Sequence, residues 1–110
     1  MLNVKEYGND YIVYLKGRID NHEGKVVETD IVRLVEKNKN ANLILNLSDV
    51  EYLSSSGIRI FLSTQRLLKA NGKDQFICEI TEAVAKILRA AKVYDYLNVV
   101  GTESEAKDLL

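Results

Sequence analysis

The first part of the chain predicts a β-hairpin followed by a helix. Residues 2–7 alternate weakly between apolar and polar side chains, and residues 11–15 are rich in β-branched and aromatic side chains, so both predict strands. The Gly8-Asn9-Asp10 link between them favours an antiparallel hairpin. After a break at residues 17–21, helical spacing begins, although Gly24 weakens the start of this helix. Its apolar positions are Val27, Ile31, Leu34 and Val35.

The rest of the chain alternates between strands and helices. Residues 43–47 form a short apolar run typical of a strand covered on both faces, and residues 75–80 and 96–100 predict two further strands. Between and after these strands, apolar side chains recur at helical spacing. They are Ile58, Phe61, Leu62 and Leu68, then Val84, Ile87, Leu88 and Ala91, and finally Ala106, Leu109 and Leu110.

Several helix boundaries are marked by local signals. Asn71-Gly72 is a stop signal after the second helix, and Thr81 is suited to cap the third. Thr102 and Glu105 fit a capping box before the last helix. The predicted order is therefore ββαβαβαβα, which indicates an α/β fold in a single domain, residues 1–110. We expect a mostly parallel sheet with an antiparallel N-terminal edge strand and helices packed against it.

Composition and charge exclude several functional classes. The chain has 110 residues, of which 46% are hydrophobic and 28% charged, so a folded domain is expected rather than a disordered segment. The formal net charge of −1, with acidic and basic residues interspersed, predicts neither direct nucleic-acid binding nor an anionic membrane as partner. No leader or membrane-spanning run is evident, so we expect the protein in the cytoplasm.

The residues that usually carry catalysis are few. Cys78 and His22 are each the single residue of their type, which leaves no intrachain disulfide and no Cys/His metal cluster. Cys78 lies in an apolar run and is expected to be buried, whereas His22 lies among polar residues and is expected to be solvated. Phosphate-binding, dinucleotide-binding and catalytic-triad motifs are absent. We therefore expect no enzyme, no metal and no cofactor.

The most informative segment lies where a predicted strand meets a predicted helix. Ser54, Ser55, Ser56 and Gly57 follow the apolar run at residues 43–47 and precede the helix that contains Phe61. A serine at a helix start can cap the helix, contribute to an anion site, or carry a phosphate itself. Capping accounts for one serine but not for three.

The stretch Asp49-Val50-Glu51-Tyr52-Leu53-Ser54-Ser55-Ser56-Gly57-Ile58 resembles the signature of anti-sigma factor antagonists. Gly17-Arg18-Ile19-Asp20 is similar to that family's Gly-x-hydrophobic-Asp element. The length and the hairpin-first order also match a single STAS domain (sulfate transporter and anti-sigma factor antagonist) over nearly the whole chain.

The resemblance implies a regulatory function. Members of this kind bind an anti-sigma factor that is also a serine kinase, which releases a sigma factor for transcription. The kinase phosphorylates the antagonist at this helix start and inactivates it, and a phosphatase resets the switch. The resemblance places the phosphoacceptor at Ser56, with Ser55 as the runner-up. Many members carry an acidic residue two places before the phosphoacceptor, where this chain has Ser54.

The predicted partner surface combines the serine turn with the end of the second strand. The second and third strands are expected to be parallel neighbours, so both segments should emerge at one rim of the sheet. Its predicted residues are Asp20, Asn21, Ser54, Ser55, Gly57, Ile58 and Arg59. Two alternatives stay open: a scaffold-type STAS domain that is not phosphorylated, and a domain that binds a small anion or nucleotide.

Overall fold

A computed structural model of the chain describes residues 2–110. Within that range the chain forms four strands and four helices. In chain order they are β1 (Asn3–Tyr7), β2 (Asp10–Ile19), α1 (Asn21–Lys37), β3 (Leu43–Leu53), α2 (Ser55–Ala70), β4 (Gln75–Cys78), α3 (Glu82–Ala90) and α4 (Glu103–Asp108).

The four strands form one mixed sheet in the order β1-β2-β3-β4. β1 is antiparallel to β2, and the pair Tyr7 and Asp10 closes the hairpin around Gly8 and Asn9. Gly8 has φ +61, a left-handed conformation that glycine adopts without steric penalty and that tight hairpin turns require. β2, β3 and β4 are mutually parallel, which confirms the predicted parallel sheet with an antiparallel edge strand.

Alternate residues of the strands supply two separate apolar clusters. The larger cluster joins one face of the sheet to α1, α2 and α3, and fully buried Phe61 is among the largest side chains in it. On the other face, Ala106 of α4 packs with Ile12, Ile44 and Cys78. The prediction that Cys78 is buried is confirmed. Burial and the nearby Glu103 and Glu79 raise the pKa of its thiol to about 12, so it is uncharged at neutral pH.

Three elements extend beyond their expected bounds, whereas β4 ends at Cys78 rather than at residue 80. β2 continues to Ile19 and β3 to Leu53, well beyond the expected strands at 11–15 and 43–47. Register shifts between these two strands keep them paired past the point where the simple alternation stops. α1 begins at Asn21 rather than near Val27, because Asp20 caps it.

The predicted fifth strand, residues 96–100, is reduced to one isolated parallel bridge between Val99 and Ile77. The five-strand order was therefore wrong at this point, and α3 and α4 follow one another without an intervening strand among the described residues. The hydrogen bonds Ile77 N to Asn98 O (2.9 Å) and Val100 N to Ile77 O (2.8 Å) maintain this short contact. Lys92 has φ +61, so the chain turns sharply before it reaches the sheet.

Both predicted threonine caps are confirmed. The Thr81 hydroxyl accepts from Val84 N at 3.2 Å, and the Thr102 hydroxyl accepts from Glu105 N at 3.1 Å. The Glu105 carboxylate reaches back to Gly101 N at 3.2 Å, one residue earlier than a capping box requires. These bonds satisfy N–H groups that have no partner within the helix.

The start of α4 contains a carboxylate with several partners. Glu103 accepts from Asn46 Nδ2 at 3.0 Å and from the Tyr14 hydroxyl, and it lies 3.3 Å from Lys107 Nζ. Burial raises the pKa of the Glu103 carboxyl. The hydrogen bonds from Tyr14 and Asn46 and the Lys107 ammonium outweigh this effect, so the net pKa lies below its ordinary value of 4.5.

The folded state therefore binds a proton at Glu103 less readily than the unfolded chain does. The stabilisation is present above pH 4.5 and is lost as the pH falls through the lower, folded-state pKa. We expect Glu103→Gln to lower the free energy of unfolding by about 1 kcal/mol at pH 7 and by much less near pH 3. Urea unfolding at both pH values measures this, with exposed Glu36→Gln as control. A deficit that is equal at both pH values would contradict the prediction.

Candidate functional site

The carboxyl ends of β2 and β3 meet at one edge of the sheet, and a helix starts from each. Ile19 and Leu53 are paired in the parallel register. Ser54 N then donates to Ile19 O at 3.0 Å, which connects the two exits directly. The first turns of α1 and α2 therefore lie side by side at this rim, as the parallel pairing of these strands predicts.

Ser54 is the cap of α2. Its backbone is extended, with φ −80 and ψ 173, and its hydroxyl accepts from Gly57 N at 3.2 Å. Of the functions open to the three serines, capping is thus performed by Ser54. The helix continues from Ser55 in regular geometry, with Ile58 N donating to Ser54 O at 3.1 Å.

Ser55 and Ser56 are the first two residues of α2. Ser55 is exposed, and Ser56 is partly exposed. Neither hydroxyl forms a hydrogen bond with another residue in the described range 2–110. Successive residues point about 100° apart around a helix, so the two hydroxyls have different surroundings.

Gly57 faces inward, because it is buried beneath the first turn of α2. A Cβ atom built at this position would lie 3.2 Å from Ile19 O and 3.4 Å from Leu53 Cδ2. The close approach that Gly57 permits is therefore made by the chain's own strands. Gly57 is thus buried beneath the rim rather than exposed on it, and its expected part in partner binding stays a prediction.

A second glycine brings the two helix starts together. A Cβ atom at Gly24 of α1 would lie 2.9 Å from Ile60 Cδ1 and 3.9 Å from Gly57 N. The same residue that weakens the sequence signal for the start of α1 thus leaves room for the Ile60 side chain between α1 and α2. The packing fixes how α1 side chains approach Ser56.

The other predicted surface residues are at or near this rim. Asp20 is exposed and caps α1, with its carboxylate accepting from Glu23 N at 2.9 Å, and Asn21 is the exposed first residue of that helix. Arg59 is exposed on α2, whereas Ile58 is partly buried against the larger apolar cluster.

Sequence reasoning missed two neighbours of the serine turn. Lys25 and Glu28 of α1 line a cavity of about 110 Å³ together with Ser56, Arg59 and Ile60 of α2. The exposed Arg18 stacks its guanidinium 4.4 Å from the centre of the Tyr52 ring, beside the end of β3. Lys25 precedes Val27, where the predicted helical spacing begins, and only the packing of α1 against α2 brings it to Ser56.

Two negative findings apply to the described part of the chain. Residues 2–110 bring together no group of three or more His, Cys, Asp or Glu side chains suited to a metal ion. Over the same range, every helix is too short or too polar to cross a membrane.

A family model for the STAS domain matches residues 1–106 of the chain. The chain belongs to the STAS domain family. This STAS domain is 26% identical over 98 residues to an anti-sigma-B factor antagonist of Bacillus subtilis, covering 89% of this chain and 88% of that protein. The match confirms the family that the serine-glycine turn and the order of elements predicted.

Solved structures have the same fold. The anti-sigma factor antagonist SpoIIAA in its unphosphorylated form superimposes with a TM-score of 0.84 at 19% identity, over 98% of this chain and 94% of that one. The Bacillus cell fate determinant SpoIIAA in its phosphorylated form superimposes with a TM-score of 0.75 at 18% identity, over 98% of this chain and 97% of that one. Only the fold of this STAS domain follows from similarities at this level of identity.

The capping role of Ser54 in this STAS domain can be separated from the roles of its neighbours. We expect Ser54→Ala to lower the free energy of unfolding by about 1 kcal/mol, because Gly57 N loses its acceptor. Ser55→Ala is the matched control one residue later, and it should change stability by less than about 0.5 kcal/mol. Urea denaturation of both variants gives the comparison; equal effects would show that Ser54 is not the cap.

Proposed function

We propose that this STAS domain is an anti-sigma factor antagonist that binds an anti-sigma factor serine kinase and thereby releases a sigma factor. The observation that carries the proposal is the serine-glycine turn, which leaves the Ser56 hydroxyl unbonded at a rim shared by two helix starts. The names of the relatives support the same role, since they include antagonists of anti-sigma-B and anti-sigma F factors.

The partner surface in this proposal is the outer side of that rim. It comprises Asp20, Asn21, Ser54, Ser55, Ser56, Ile58 and Arg59, with Gly57 supporting it from below. The Arg18–Tyr52 stack lies next to it and adds an aromatic edge. The rim joins two capped helix starts to the paired ends of two strands, so the partner in this proposal meets a surface that is already formed.

Phosphorylation of Ser56 is the proposed off-switch, and a phosphatase reverses it. The phosphate adds about −1.5 to −2 charges at neutral pH. A helix start favours a nearby anion by about 0.3–1 kcal/mol, so the fold should tolerate the group. The dianion instead occupies the place where the uncharged hydroxyl met the partner, and the switch acts by repulsion and steric exclusion. That SpoIIAA has a phosphorylated form supports this proposal.

Ser54 replaces the acidic residue that many family members are expected to carry. Serine and aspartate are both good N-cap residues, so the replacement keeps the helix start intact. It removes one negative charge from the rim, which changes the choice of partner rather than the fold. In the scaffold alternative this change accompanies loss of the switch. Ser56→Ala in cells separates the two, because it deregulates a switched antagonist and leaves a scaffold unaffected.

The antagonist activity itself is tested by displacement. The purified complex of a sigma factor with its cognate anti-sigma factor kinase is mixed with this domain and separated by size-exclusion chromatography. We expect free sigma factor and a new complex between the kinase and this domain. An unchanged sigma factor–kinase complex at a large excess of the domain would overturn the proposal.

A further inference from the structure

The cavity beside Ser56 is lined by charged side chains from two helices. Lys25 and Glu28 come from α1, and Arg59 comes from α2, three residues after Ser56. Residues three apart on a helix lie about 5–6 Å from one another on its surface. Arg59 therefore flanks Ser56 along α2, and Lys25 flanks it from across the interhelical cleft.

Both cations are unpaired. In the described residues, neither Lys25 nor Arg59 forms an ion pair or a cation–π contact, although Glu28 lines the same cavity. Two positive charges and one negative charge leave the lining with a net charge of +1. An anion of two charges attached to Ser56 would meet this lining without displacing an existing salt bridge.

We infer that Lys25 and Arg59 clamp the phosphate of phosphorylated Ser56 between α1 and α2, an inference that rests on the proposed phosphorylation of that serine. The covalent bond to Ser56 Oγ sets where the phosphate lies, and the two cations set which way it points. Hydrogen bonds from arginine and lysine to a phosphate are charge-assisted, and they are about twice as strong as hydrogen bonds between neutral groups. The Glu28 carboxylate in the same lining opposes the clamp and partly offsets the two cations.

The clamp has two consequences for the switch. Neighbouring cations favour the dianionic form, so the second pKa of the phosphate falls below its ordinary value of about 6 and the charge is complete at neutral pH. The phosphate also connects two helices that otherwise touch through Gly24 and Ile60. The partner then meets a fully charged group in one fixed orientation.

The test uses phosphoserine encoded genetically at position 56, so no kinase is involved. Titration by ³¹P NMR should give a second phosphate pKa lower by about 0.5–1 pH unit than for phosphoserine encoded at the neighbouring position 55. Lys25→Gln and Arg59→Gln should each restore part of the difference, and the double variant nearly all of it. Exposed Lys37→Gln, at the far end of α1, is the charge control and should change nothing.

A phosphate pKa at position 56 equal to that at position 55, or unaffected by the double variant, would overturn the clamp. That result would leave the antagonist proposal standing, because sigma factor displacement is measured separately on the unphosphorylated protein. Failed displacement together with the expected pKa pattern would reject the antagonist role and keep the clamp. Circular dichroism of each variant checks that these surface substitutions leave the fold unchanged.

Discussion

Ser56→Asp is expected to weaken binding of the anti-sigma factor kinase by at least tenfold. The substitution places a carboxylate where the proposed interface receives an uncharged hydroxyl, and an unpaired charge buried in an interface costs several kcal/mol. A loss of about 1.4 kcal/mol in binding free energy corresponds to a tenfold loss of affinity. Even a partly solvated carboxylate is therefore enough to weaken binding tenfold. Isothermal titration calorimetry of wild type and variant measures the change.

Two variants make this result specific. Ser56→Ala removes the hydroxyl without adding charge, and it should keep the affinity within a few-fold of wild type. Ser104→Asp adds the same charge at the second residue of α4, which packs on the opposite face of the sheet, and it should bind normally. Wild-type affinity for Ser56→Asp, or an equal loss for Ser104→Asp, would contradict the proposed interface.

Phe61→Ala is expected to lower the free energy of unfolding by about 3–5 kcal/mol. The side chain is fully buried in the larger apolar cluster, and it holds α2 against the sheet directly behind the serine turn. Domains of this size are stable by about 5–15 kcal/mol, so the loss is a large fraction of the total. Urea unfolding at pH 7 determines the difference.

Two control variants separate the effect of the Phe61 side-chain volume from the effect of its buried position. Phe61→Leu keeps an apolar side chain of similar size and should cost about 1–1.5 kcal/mol. Arg66→Ala changes an exposed position of the same helix and should lie within about 0.5 kcal/mol of wild type. A loss below about 1 kcal/mol for Phe61→Ala would mean that α2 is not anchored by this side chain.

Features that depend on local signals were predictable from sequence. The link between Tyr7 and Asp10 specified the hairpin, and Thr81 and Thr102 marked helix starts with their own hydroxyls. The serine cluster likewise specified a strand-to-helix junction, because capping is a matter of three or four adjacent residues.

Features that depend on tertiary contacts were not predictable from sequence. Gly24 weakened the signal for the start of α1, whereas its role is to admit Ile60 of α2. The proximity of Lys25 to Ser56 follows from the same helix packing and has no sequence signature. Residues 96–100 have the composition of a strand, but they form only one bridge to the sheet, between Val99 and Ile77, after a turn with Lys92 at positive φ.

We propose that the partner kinase modifies the hydroxyl of Ser56. Incubation with the cognate anti-sigma factor kinase and ATP, followed by peptide mapping with tandem mass spectrometry, tests it directly. We predict a single phosphate on Ser56, with none on the capping Ser54. A phosphate on another residue, or none at all while the kinase binds tightly, would contradict the proposed role of Ser56.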